Sequence, residues 1–273
     1  MKRFKWAALV AAMVSMVGFT SCLNNDDDGT RTTLGYFRAV GNYGAVYFQD
    51  MYDFKYQPTT SLMDSPTSEL AFLYFTYNQN DITQGATSID ITLLQNPTYL
   101  KRLYVGTTLP DEKEKETVSL VDLSSANGGI WGVNEFLVLS PTYLLKSGTT
   151  DENLTEELAN HRLEVYYDAN ENTNTSTLTL NLRYTISGAT APEEGSDAEH
   201  WADEYTVSYT DAVYVRLSDV ISKYQANNSG NDPEKIVVEY EDYNGSGSVP
   251  TMDPDKKLSR TISYDWVKVS DDQ

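Results

Sequence analysis

The chain reads as an all-β protein: a small OB-like barrel followed by an antiparallel β-sandwich, with few short helices. Three observations predict this. Tyr occurs 20 times in 273 residues, and Thr and Ser are frequent. Long runs of Ala, Leu, Glu and Lys at helical spacing are missing. Short segments alternate apolar and polar residues between turn signals, which is the period of a half-buried strand.

Five strands are predicted in the first half: Leu34–Val40, Ala45–Tyr52, Leu70–Tyr77, Ser88–Leu94 and Tyr99–Val105. Leu70-Ala71-Phe72-Leu73-Tyr74-Phe75 is apolar on both faces, so it belongs in the interior of a sheet. Ile89, Ile91 and Leu93 alternate with Asp90 and Thr92, which leaves one wet face. Five strands in about 85 residues, with Pro58 and Pro66 in one loop, suit a small barrel.

The second half alternates more cleanly. Ile130–Leu139 opens it. Arg162–Tyr167 and Leu178–Ile186 pair as a hairpin across Asp168–Ser176. From Tyr205 to Leu217 the odd positions are apolar except Asp211, which predicts a bulge, an edge or a bend between sheets there. Ile236, Val238 and Tyr240 mark another strand, and Arg260–Val269 closes the domain. Short helices are expected near Leu154–Ala159 and Asp219–Tyr224. Many short strands with turns between them indicate a sandwich.

Charge divides the chain. The formal net charge is −20. Residues 31–115 hold 7 basic and 9 acidic side chains, whereas residues 116–273 hold 10 and 28. The run Asp111-Glu112-Lys113-Glu114-Lys115-Glu116 sits between the halves. The expected domains are therefore an OB-like unit over 31–115 and a sandwich over 116–273. So acidic a second half repels phosphates and argues against a nucleic-acid partner.

The N-terminus carries an address. Lys2, Arg3 and Lys5 precede a 14-residue apolar stretch, Trp6–Phe19. That is too short for a comfortable bilayer span, which takes about 20 residues. It ends at Phe19-Thr20-Ser21-Cys22, which resembles a lipobox, with Phe19 where Leu is usual. Residues 1–21 then form a lipoprotein signal peptide and Cys22 is the lipid attachment site. Cys22 is the only cysteine, so thiol catalysis and disulfides are both excluded. Residues 22–30 form an acidic tether. Asp26, Asp27 and Asp28 within it resemble the acidic export signal of Bacteroidetes lipoproteins, which implies an outer-membrane protein displayed at the surface. A periplasm-facing protein with a plain acidic spacer is the alternative. The one partner so implied is the membrane, reached through the N-terminal lipid.

Chemistry is sparse. There are two histidines. His161 begins a strand, and His200 lies in an acidic loop. No Gly-x-Ser-x-Gly elbow supplies a nucleophile. No HExxH zinc motif, P-loop or GxGxxG is present. With 40 acidic residues, paired carboxylates at hydrolase spacing cannot be told from chance. Asp168–Asn174 has oxygen ligands at alternate positions. It lacks the glycine and bidentate glutamate of a calcium loop, and reads as an Asn-rich turn. No catalytic residue, metal site or cofactor is expected. The remaining lead is aromatic. Trp131, after Gly128-Gly129, and Trp201, in a polar loop, are candidates for stacking against sugar rings. Trp266 reads as a core or rim residue.

Taken together, the lipobox, the Leu-Asn-Asn-Asp-Asp-Asp tether and the two β regions resemble the NigD-like lipoproteins of Bacteroidetes. Gly129–Leu137 looks like the start of that family's second domain. Leu178–Ile186 and Tyr205–Ser218 fall where its later strands would lie. The first half departs from the pattern by lacking an Asp-Gly hairpin. The resemblance implies a lipid-anchored envelope protein, non-enzymatic, acting as a binding or accessory module. A glycan-binding protein of a polysaccharide-uptake system and a fibre anchor or subunit are the alternatives, with a glycan or another envelope protein as partner.

Overall fold

The computed structural model describes residues 29–107, 116–124, 128–189, 201–245 and 249–268. The first unit is built from β1 (Thr30–Val40), β2 (Tyr47–Gln49), β3 (Lys55–Pro58), β4 (Leu70–Asn78), β5 (Ser88–Leu93) and β6 (Thr98–Tyr99). The order β1-β2-β3-β5-β4 closes on itself through a nine-pair β1–β4 ladder running from Thr30 opposite Asn78 to Arg38 opposite Leu70. β3 and β5 run parallel; the other barrel pairs are antiparallel. Following the registers once around returns to β1 about ten residues along, the stagger a narrow, steeply tilted barrel requires. This is the expected OB-like closure.

The barrel's fifth strand is not the expected one. β3 is only four residues long and ends in Pro58, so it carries too few alternations to stand out. Tyr99–Val105, expected as a barrel strand, is instead divided. Tyr99 ends β6 on the barrel, whereas β7 (Lys101–Leu103) and β8 (Val105–Gly106) pair with strands of the second unit. The chain therefore leaves the barrel at Leu100, ahead of the charged run.

The second unit contains β9 (Asp122–Leu123), β10 (Gly129–Trp131), β11 (Phe136–Leu139), β12 (Pro141–Lys146), β13 (His161–Tyr166), β14 (Thr177–Ile186), β15 (Tyr205–Thr210), β16 (Val213–Arg216), β17 (Lys235–Tyr243) and β18 (Lys257–Asp265). Two short helices join them, α1 (Leu154–Leu158) and α2 (Ser218–Asn227). The sheets are β10-β11-β16-β7, β15-β12-β9 and β18-β17-β14-β13-β8.

Ile130–Leu139 is a hairpin rather than one strand, turned by Gly132 and Asn134 at positive φ. The β13–β14 hairpin falls where the alternation put it. Asp211 is a corner between sheets: β15 before it pairs with β12, and β16 after it pairs with β11. The partner segment turns at the same place, since Ser140 separates β11 from β12. The Asp211 N–H donates to Pro141 O at 3.0 Å, tying the two corners together.

The sandwich is mixed, not purely antiparallel. β14–β17, β13–β8 and β16–β7 are parallel pairs. After β14 the chain makes β15, β16 and α2 before re-entering the same sheet as β17, so it arrives in the same direction. Alternation within a strand cannot reveal this, because it reports faces and not neighbours.

Three apolar layers hold the molecule. Phe37, Phe48, Ala71, Leu73, Phe75, Ile89 and Ile91 fill the barrel. Leu103, Leu137, Leu139, Val213 and Val215 face the large core over the five-stranded sheet. Between these lies a third cluster of Leu70, Phe72, Leu100, Trp131, Phe136, Val138 and Tyr214. β4 is thus apolar on both faces for a physical reason. Its odd residues line the barrel, and its even residues dock against β10, β11 and β16.

Candidate functional site

The same junction opens at one edge into a cleft of roughly 650 Å³, lined in part by Ala39, Glu69, Tyr99, Lys101, Arg102, Tyr104 and Tyr214. Its floor is fixed. Tyr214 is 1% exposed, and its phenol oxygen accepts from Ser68 Oγ at 3.1 Å and from the Glu69 N–H at 3.4 Å. The charges are laid out in pairs. Arg102 donates to Asp219 Oδ2 at 2.8 Å, and Arg216 donates to Glu69 Oε1 at 2.9 Å. Arg102 also lies 3.9 Å from Glu69 Oε2.

Tyr104 is the open feature. Its guanidinium neighbour Arg102 sits 4.7 Å from the ring centre, yet the residue is 73% exposed. One ring face rests on a cation and much of the remainder faces solvent. Such a face stacks on flat or C–H-rich ligands. Hydroxyls, guanidinium and carboxylate beside it supply donors and acceptors in balance, which suits a polar, uncharged ligand.

The second concentration of titratable groups is buried in the sandwich. His161 is 4% exposed and Glu157 is 9% exposed. His161 Nε2 lies 3.1 Å from Glu157 Oε1, and Nδ1 contacts the Tyr184 hydroxyl. Burial lowers the His161 pKa even though Glu157 pulls it upward, so the ring is neutral at pH 7. Nε2–H then donates to the carboxylate and Nδ1 accepts from Tyr184. For Glu157, burial raises the pKa. Hydrogen bonds from His161 and from the Lys146 N–H outweigh it and hold the carboxyl below its usual value. Tyr143 stacks on both His161 and Tyr184, and its hydroxyl reaches Asp211 at 3.3 Å. Burial pushes the Asp211 pKa up. These side chains bond to one another within the sandwich.

No family model matches the chain, and no curated protein does. Among solved structures the chain is similar to a candidate lipoprotein of Bacteroides fragilis NCTC 9343. The TM-score is 0.70 at 18% identity, over 88% of this chain and all 100% of that one. The likeness is one of fold. It embraces both units, since 88% of this chain is covered. Weaker similarity links the chain to a toxin-related protein of Parabacteroides distasonis ATCC 8503, with TM-score 0.49 and 12% identity over 86% of this chain and 94% of that one. A NigD-like immunity protein of Bacteroides caccae ATCC 43185 gives TM-score 0.45 and 13% identity over 85% and 96%.

The residues singled out in the sequence have different fates. Cys22, Asp26, Asp27, Asp28 and His200 lie outside the described residues. Trp131 is not a stacking platform. It is 3% exposed, its indole N–H donates to Tyr36 O at 3.0 Å, and Arg38 lies over its ring. A tryptophan between two units packs there because it is the largest apolar surface available. Trp201 opens a 3₁₀ turn over Trp201–Glu204 and is half-buried, edge-on to Tyr205 at 5.7 Å. Asp168–Ser176 is a turn held from within. Asn172, fully buried, donates to Asp168 O and Thr179 O and accepts from the Thr179 N–H. Sequence reading missed Tyr104 because nothing local distinguishes one tyrosine among 20; its exposure depends on where Leu100 hands the chain from one unit to the other.

Proposed function

We propose that this is a lipid-anchored envelope protein of the NigD-like kind, working as a non-enzymatic binding module that takes its ligand in the cleft between barrel and sandwich. The cleft, with Tyr104 open on Arg102, is the observation that carries the reading. The buried titratable groups around His161 bond to one another within the sandwich core. Anchorage at Cys22, with display on the outer face of the outer membrane through Asp26, Asp27 and Asp28, completes the reading.

Anchorage is tested by labelling cells with a radioactive or clickable fatty acid. Cys22→Ser is expected to lose the label and leave the membrane fraction, and persistent label on that variant would overturn it. A single acyl chain binds only marginally, whereas two or more hold stably, so the wild type should resist high salt.

Tyr104 favours one ligand class within this reading, a saccharide. A sugar ring offers a C–H face for the tyrosine and hydroxyls that both donate and accept. A glycan array probed with residues 23–273 tests this; binding to a defined subset is expected, and silence across a broad panel would exclude it.

A further inference from the structure

We propose that the end of the barrel from which the chain emerges rests on the lipid surface, with Tyr52 and Ile82 at the contact. The proposal rests on lipid anchorage at Cys22. Eight residue steps separate Cys22 from Thr30, about 28 Å at full extension. The barrel's near end therefore cannot stand further than that from the bilayer. β1 begins at this end, and strand direction puts the β2–β3 and β4–β5 connections there too. The Gln79 N–H donates to Gly29 O at 2.9 Å, and the Lys55 N–H donates to Thr87 O at 3.0 Å, joining the two connections. Gly29 is pinned in place. Its φ is +80°, and a Cβ there would lie 2.3 Å from Asn80 Nδ2.

Each connection lifts one large apolar side chain into solvent: Tyr52 is 83% exposed and Ile82 46%. Both turns are held rigidly. Asp50 Oδ1 accepts from the Tyr52 N–H at 2.8 Å and from the Phe54 N–H at 3.1 Å. Ile82 caps a 3₁₀ turn through its own N–H to Gln79 O. Contact with the interface therefore orders little that is not already ordered, and tyrosine favours that depth. Charge favours the same orientation. Asp50, Asp53 and Asp81 flank the contact, but residues 116–273, with 28 acidic against 10 basic side chains, are repelled more strongly from an anionic surface. Tyr43 and Met63 are exposed at the opposite end, a barrel length away, and serve as the control.

The lipidated mature chain, reconstituted in phosphatidylcholine vesicles with and without phosphatidylglycerol, provides the test. Acylation consumes the thiol of Cys22, so Gln84→Cys beside Ile82 and Ser61→Cys beside Met63 each give one site for a fluorophore. Nitroxide-headgroup lipid is expected to quench the probe at 84 several-fold more than the probe at 61. Tyr52→Ser with Ile82→Ser should bring the two to similar values. Equal quenching in the unsubstituted background, or a difference that survives the double substitution, would overturn the contact. Failure of the wild-type chain to float with vesicles would instead overturn the anchorage on which it rests.

Discussion

His161 shows how little a residue type says by itself. In the sequence it begins a strand with no catalytic partner in view. In the fold it sits between Glu157 and Tyr184, under Tyr143, and bonds through both ring nitrogens. Its folded pKa is lowered by burial, so the unfolded chain takes the proton first. Stability from the neutral ring is full above the unfolded value of about 6.5 and is lost as pH falls through the folded value. Glu157 is also lowered, so its contribution is lost further down, below about 4.3. His161→Leu is expected to cost on the order of 1–3 kcal/mol at pH 7, because it strands two buried partners. It should also flatten the loss of stability between pH 7 and the Glu157 region. Urea melts at a series of pH values would check both, and an unchanged slope would show that His161 does not titrate there.

Among the elements, strands with enough alternations were legible and short ones were not. β14, β13 and β5 fall where the period-2 pattern placed them, and Asp211 marks a true corner because a half-buried carboxylate cannot continue an apolar face. β3, β7 and β8 are four residues or fewer, so they carry no period. The expected antiparallel sandwich also contains three parallel pairs, which alternation could not reveal because it reports burial and not strand order. The β13–β14 turn was legible as Asn-rich, but its cause was not. Asn172 supplies three side-chain hydrogen bonds across it, and its own carbonyl accepts from Asn228. Asn172→Ala is expected to cost about 1–3 kcal/mol, since buried groups on both flanks lose partners. The midpoint of a urea melt would register this. A shift within error would mean that the turn is held by its backbone alone.

For the whole molecule, the two faces of β4 decide the architecture. Its apolar pattern on both faces was visible in the sequence, but read only as an interior strand. The structure assigns one face to the barrel and the other to a second core with Trp131, Phe136 and Tyr214. Arg38 and Glu135 pair across the same junction. Two units joined this way should unfold together. Phe72→Ala is expected to cost about 3–5 kcal/mol and to uncouple the units. Far-ultraviolet circular dichroism and tryptophan fluorescence would give coincident transitions in the wild type and separate ones in the variant; separate transitions in both would make the units independent. The candidate site was the least legible part, because Tyr104 acquires its exposure only at the hand-over from barrel to sandwich. Under the proposed function this junction, held rigid, binds a ligand on Tyr104. Isothermal titration of residues 23–273 with oligosaccharides selected from an array tests it most directly. Binding is expected that Tyr104→Ala weakens about three- to tenfold, the 0.5–1.5 kcal/mol of an aromatic contact, with the melting temperature unchanged. Binding that is indifferent to Tyr104→Ala would contradict it.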